Sequence, residues 1–333
     1  MTDSTKNVLV LGATGFIGGH IAQAALNAGW SVRGLRRTPG ATGHLGTAPV
    51  EWINGNMDDI DVLASAMQGM DTIFHAAGHY PHRGDRLRLA EQVKYGLEQT
   101  NHVIRAAQKA GVGCLIYTST LTTIGHPPPH EARLADERDF YQPGDLAGSA
   151  YYEAKIAMEK AMLASSRQET PVVVLNPTAV FGPGDVHLTL GGSLLAVARG
   201  WAIAWIDVII NVVDVRDVAL AHIRAAESGH PGERYIIGGH NMRLKEALDR
   251  VAIIAGVAPP RFQIPMWLLD GLVGLDDMLP FINLSGNHLR AVRRWQGYEI
   301  SKARDELGYK PRPFDDTVRD ALEWFREHGY RFG

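Results

Sequence analysis

Residues Asn7 to Leu11, NVLVL, run straight into GATGFIGGH, which sets Gly12, Gly15 and Gly18 three residues apart. An almost unbroken apolar run of this length is a strand covered on both faces, and the amphipathic stretch behind the glycines is a helix. A strand that becomes a helix through glycines at this spacing is narrowly constrained. The first glycine allows a tight turn, the second lets backbone approach a pyrophosphate, and the third lets the helix pack close on the sheet. The helix N-terminus offers unpaired N–H groups and a partial positive charge to the same anion. Gly12, Thr14, Gly15, Phe16, Ile17 and Gly18 are therefore candidate dinucleotide-binding residues.

The same alternation runs through the first half of the chain. Apolar runs at SVRGLRR, VEWING, DTIFHAAG, CLIYTS and VVVLN are separated by helical patterns such as DVLASAMQG and EQTNHVIRAAQKAG. Such a βαβα rhythm predicts an α/β fold, a doubly wound parallel sheet with every strand's C-terminal end on one edge. After Pro177 the pattern loosens into FGPGD, a helix through LLAVARG and an apolar run with Trp201 and Trp205. A strand-helix unit returns in NVVDVRDVALAHIRAA and ERYIIGG, and from Asn241 the chain is helical and punctuated by proline. The expected organisation is a dinucleotide-binding domain over 1–180, its sheet completed by about 211–240. A smaller, mostly helical C-terminal substrate lobe takes 181–210 and 241–333.

Composition supports a large core and excludes several partners. Of 333 residues, 45% are hydrophobic and 21% charged, which is globular rather than disordered. Thirty-three Lys and Arg against 36 Asp and Glu give a net charge of −3, with no broad field to attract nucleic acid or anionic lipid. No apolar segment approaches the roughly 20 residues of a membrane span, and the N-terminus lacks a signal-peptide pattern. The single Cys114 sits in an apolar run and has no disulfide partner within the chain. A cytoplasmic protein with a core thiol is expected.

The stretch AYYEAK places two phenols before Lys155 on one helix. Tyr151, four residues back, falls about 40° from Lys155 around the axis, and Tyr152, three back, about 60° to the other side. Tyr151 is the better aligned. A phenol beside an ammonium can give a proton to a substrate oxygen or take one back. At the end of the second strand, where an acidic residue would hold a ribose 2′-hydroxyl, the chain has Arg36 and Arg37. Two guanidinium groups suit a 2′-phosphate, so NADP is favoured, with NAD possible.

With GATGFIGGH, IYTST, Tyr151-x-x-x-Lys155, NPTAVFGPGD, VVDVRDVALAH and SKARDELGYKPRP on one chain, the sequence resembles the extended short-chain dehydrogenase/reductase family over nearly its whole length. Within that family it is similar to the dihydroflavonol-reductase-like and nucleotide-sugar-epimerase-like branch. The resemblance implies a Rossmann sheet, Tyr151 as acid/base, Lys155 as the lysine that supports it and binds the nicotinamide ribose, and Thr120 as the hydroxyl on the substrate oxygen. It implies Asn56 and Met57 near the adenine, Ala76, Ala77 and Gly78 under the cofactor, and Pro177 and Thr178 beside the nicotinamide. His79 and Tyr80, directly after the fourth strand, are expected to touch substrate. Two positions depart from the family. Gly96-Leu97-Glu98-Gln99-Thr100 replaces the usual Asn-Val-x-Gly-Thr, and Ile210 stands where sugar-nucleotide enzymes carry a diphosphate-gripping arginine. With Trp201, Trp205 and Ile206 nearby, the lobe either suits an apolar or aromatic carbonyl compound or uses these residues as core.

The leading expectation is reversible hydride transfer between NADPH and a carbonyl or alcohol. An NDP-sugar epimerase or dehydratase with tightly bound NAD(P) is the alternative, and a non-catalytic dinucleotide sensor a second. His75, His79, His82, His126 and His130 lack companions at a metal-ligand spacing, so no metal is expected. A homodimer through the two long helices, about 88–110 and 149–167, is expected from the resemblance.

Overall fold

The computed structural model describes residues 5–78, 89–146, 149–167, 170–268, 271 and 294–332. Its first strand, β1 (Asn7–Leu11), is followed by α1 (Phe16–Asn27), β2 (Ser31–Arg36), β3 (Val50–Asn54), α2 (Ile60–Met67) and β4 (Thr72–His75). The long α3 (Leu89–Ala110) leads to β5 (Cys114–Thr118), and α4 (Ala150–Ser166) to β6 (Val172–Pro177). With β10 (Arg234–Ile237) these form a seven-stranded sheet in the order β10-β6-β5-β4-β1-β2-β3, parallel throughout.

β1 shows why its sequence is apolar at every step. Val8 and Val10 face one cluster with Ile21 and Ala25 of α1, whereas Leu9 and Leu11 face another with Leu63 and Met67 of α2 and Val103 of α3. Alternate side chains point to opposite faces, and helices cover both. The chain passes from β3 across β1 to β4, so the winding reverses between β1 and β4, where Leu11 pairs with His75. Ligands bind outside the carboxyl ends of strands at such a reversal. Cys114 packs against the first of these clusters, and burial pushes its thiol up to about 11.

The second half leaves the main sheet at once. β7 (Ala179–Phe181), β9 (Ile209–Asp214) and β11 (His240–Arg243) make a three-stranded sheet, while β8 (Ala204–Ile206) pairs with β12 (Phe262–Ile264). Of the 211–240 stretch, β10 joins the large sheet beside β6, and α6 (Val215–Ser228) covers the face shared with α1. The helices α5 (Gly191–Ala198), α7 (Leu244–Ala255), α8 (Ser301–Leu307) and α9 (Phe314–Glu327) complete the described elements. On α9 the buried residues Phe314, Thr317, Val318, Ala321, Leu322 and Phe325 recur at helical spacing and share a core with α5 and α7. A polar chain ties this core to the large sheet: Thr178 Oγ1 donates to Asn211 Oδ1 at 2.8 Å, Asn211 Nδ2 to Asn241 Oδ1 at 2.7 Å, and Asn241 Nδ2 to the Tyr298 carbonyl at 2.9 Å.

Candidate active site

The glycine turn sits at the sheet reversal. Gly12 has φ +92°, and a Cβ there would lie 2.9 Å from backbone atoms of Ala76 and Ala77, so side chains are excluded by conformation and space together. A Cβ on Gly18 would fall 2.1 Å from the Gly12 carbonyl, which is how closely α1 approaches the turn. Gly15, the N-cap of α1, bonds its N–H to the Gly12 carbonyl at 2.9 Å. α1 has no side-chain cap and no acidic residue in its first turn. Without a capping side chain or a first-turn carboxylate, its amino end fits the diphosphate of a dinucleotide. Phe16 and Ile17 pack against the core beneath, and Gly43 of the β2–β3 connection closes on the Thr14 backbone.

Beyond the turn, the two arginines differ. Arg36 donates to Asn54 Oδ1 at 2.8 Å and to the Ala41 carbonyl at 3.3 Å, with its guanidinium 5.2 Å from the centre of the Trp52 ring. Arg37 is exposed. Its charge reaches Tyr95 of α3, whose phenol is shifted upward by burial and by Asp58. Asn56 Nδ2 donates to Asp58 Oδ2 at 2.9 Å, and Gln99 Nε2 to Asp58 Oδ1 at 2.8 Å; Met57 packs on the core below. Asp58, Tyr95 and Gln99 thereby join Asn56 at the rim beyond β2 and β3, and nothing in their local sequence pointed there.

The Tyr-Lys pair lies across the reversal. Lys155 is buried, and a Cβ on Gly78 would meet its Nζ at 3.1 Å, so the ammonium rests on the strand end formed by Ala76, Ala77 and Gly78. The same Nζ lies 6.0 Å from the centre of the Tyr151 ring. Tyr152 is buried in an apolar cluster with Leu146 and Ile156, against which the Tyr151 ring also packs, and the Arg294 guanidinium lies 5.1 Å from the Tyr152 ring centre. Burial shifts its phenol upward, against the pull of Arg294. Beneath Lys155, His75 is 2% exposed, its ring 5.3 Å from Tyr117. Burial first, and the Lys155 charge second, hold His75 down to about 3, so it is neutral. Thr120 follows β5 as the cap of a single 3-10 turn, Leu121–Thr123, its hydroxyl accepting from Thr122 N at 3.3 Å. Ser119, its neighbour, is buried and bonded to Glu159.

Residues 8–238 match the model of the NAD dependent epimerase/dehydratase family. The chain belongs to that family. Over 96% of its length it is 31% identical to a putative dihydroflavonol 4-reductase of Synechocystis, covering 95% of that protein. It is 28% identical to sterol demethylase protein B of Methylococcus capsulatus, over 96% of this chain and 98% of the relative. Among solved structures, a nucleoside-diphosphate-sugar epimerase from Pseudomonas aeruginosa superposes with a TM-score of 0.84 at 27% identity, covering 99% of this chain and all of that one. The chain is thus an NAD(P)-dependent enzyme of the extended short-chain dehydrogenase/reductase type, and family membership by itself leaves reductase and epimerase chemistry both open.

Within this epimerase/dehydratase fold the remaining candidates divide. Pro177 ends β6, and Thr178 is buried with both its N–H and its hydroxyl bonded, the former to the Ile237 carbonyl at 3.1 Å. Ile210 packs against the apolar core shared by α5, α7 and α9, as do Ala179 and Ala202. Trp201 is 68% exposed with Arg199 over its ring, and Trp205 is half-buried facing Lys245. Both thus meet basic side chains. His79, Tyr80 and His82 lie outside the described residues. Among the described residues no group of three or more His, Cys, Asp and Glu could hold a metal, and no helix is long and apolar enough to cross a membrane.

Proposed function

We propose that this enzyme is an NADPH-dependent reductase acting reversibly on an apolar or aromatic carbonyl compound. The observation that carries it is the buried Lys155 ammonium resting on Gly78, with the Tyr151 ring beside it and Tyr152 buried in the core with Leu146 and Ile156. When bound, the nicotinamide supplies the hydride to the carbonyl carbon or takes it back. Tyr151 gives its phenolic proton to the carbonyl oxygen, and the Lys155 charge offsets the phenolate that remains until solvent restores the proton. The Thr120 hydroxyl donates a hydrogen bond that orients the same oxygen. Neutral His75 beneath Lys155 adds no competing positive charge. Residues 1–180, with the strand from β10, hold the dinucleotide; 181–210 and 241–333 shape the substrate pocket. α3 and α4 are the faces through which a homodimer would form.

An apolar substrate is favoured by Ile210, whose side chain belongs to an apolar core and has no group to pair with a diphosphate. Dihydroflavonols and sterols, named in two relatives, are of that class. The competing reading, an NDP-sugar epimerase with tightly held cofactor, draws on the Pseudomonas structure. The test is NADPH oxidation against aromatic aldehydes, cinnamaldehyde, a dihydroflavonol, a 3-ketosteroid and UDP-glucose. Tyr151→Phe should lose about 100-fold or more in kcat with unchanged NADPH affinity, while Tyr152→Phe stays within about twofold. Purified protein that carries NAD, converts UDP-glucose and oxidises no NADPH would establish the epimerase instead.

A further inference from the structure

Glu159 follows Lys155 by one helical turn and Tyr151 by two, and its side chain is 3% exposed. The groups bonded to its carboxylate are all donors. Oε2 accepts from Ser119 Oγ, from Thr123 Oγ1 at 2.6 Å and from Asn176 Nδ2 at 2.6 Å. Oε1 accepts from Arg234 Nη1 at 2.8 Å. Two of these partners bracket Thr120, and the Thr120 carbonyl itself lies 2.9 Å from Thr123 Oγ1 and 3.2 Å from Asn176 Nδ2. Arg234 extends the cluster, its Nη2 donating to the Asp139 carbonyl at 2.7 Å and its Nε to the Glu137 carbonyl at 3.0 Å.

A buried ion pair is weak evidence of stabilisation, because the cost of desolvating two charges rivals their attraction. What this one does is geometric. A single carboxylate on the helix of Tyr151 and Lys155 is bonded to both ends of the turn that presents Thr120, and to β6 just before Pro177. We infer that Glu159, held by Arg234, is a positioning residue that sets the Thr120 hydroxyl in register with Tyr151 and Lys155. The inference rests on the Thr-Tyr-Lys reading above.

The test is a double-mutant cycle of Glu159→Gln with Thr120→Ala, on the fastest carbonyl of the panel. An amide would turn an N–H toward a ring of donors, so kcat should fall by about tenfold or more, with NADPH affinity, read by protein fluorescence, within about twofold of wild type. In the Thr120→Ala background the same change should cost less than about twofold, because the group being positioned is gone. Equal losses in both backgrounds, or an unchanged kcat, overturn the inference and leave the Thr-Tyr-Lys reading standing. A Thr120→Ala enzyme with full kcat overturns the reading and the inference together. Should Glu159→Gln fail to fold, Ser119→Ala removes one donor, leaves the ion pair, and enters the same cycle with an expected loss of about threefold. Crystal structures with NADPH need no substrate. A Thr120 hydroxyl displaced by about 1 Å or more in Glu159→Gln, with Tyr151 and Lys155 unmoved, supports the role, and an unmoved Thr120 overturns it.

Discussion

Arg36 and Arg37 are consecutive, carry the same group and look equivalent in the sequence, yet they meet different surroundings. Arg36 ends β2 in register with Asn54 of β3, and its guanidinium is already bonded there and laid over Trp52. Arg37 points past the strand to solvent, near the rim where Asn56, Asp58 and Tyr95 gather. A 2′-phosphate would therefore be met by Arg37, with Arg36 keeping the β2–β3 edge in place. Arg37→Ala should raise the KM for NADPH about tenfold and that for NADH by less than about twofold, the loss of one charge-assisted contact. Steady-state kinetics with both cofactors decide it, and equal effects would remove Arg37 from cofactor choice. Which arginine is engaged at the β2–β3 edge is a matter of strand register, which the residue types do not reveal.

The long helices α3 and α4 were legible almost to their ends, at about 88–110 and 149–167, from the family resemblance. Their mutual approach was not. Gly96, which stands where the family usually has asparagine, faces α4: a Cβ there would lie 2.9 Å from the Met158 sulfur and 3.9 Å from the Ala154 methyl. The missing asparagine thus has a packing reason. Gly96→Asn should destabilise by about 1–3 kcal/mol as Met158 is driven from its pocket. Adding Met158→Ala should recover part of that loss, since the new side chain then has room. Urea midpoints of the three variants measure this, and a fully additive pair would show that the two helices do not meet as described.

At the scale of the whole molecule, three histidines, His75 and His222 buried and His20 half-buried, set a pH dependence. His20 and His222 are held down to about 4 and His75 to about 3, burial being the first cause in each, with His44 adding to it at His20 and Lys155 at His75. Their ordinary value is 6.5. Between about 4 and 6.5 the unfolded chain binds these protons and the folded chain does not, so stability is lost as pH falls through that window. Each histidine contributes a slope of about 1.4 kcal/mol per pH unit. Urea midpoints at pH 7, 6 and 5 should fall steadily, and a flat profile would mean that these imidazoles are not held neutral by the fold. His222, on α6, is fully buried and His20, on α1, half-buried, and the two helices pack on one sheet face. Sequence alone determined the parallel sheet, the glycine turn and the Tyr-Lys pair, because each is a local pattern whose period or backbone freedom dictates its conformation. Tertiary structure alone decided what surrounds them: the rim of Asp58, Tyr95 and Gln99, the neutral His75 under Lys155, and the donors converging on Glu159. Those residues come from segments far apart in the chain, and their chemistry follows from burial and proximity, which only the folded sheet supplies.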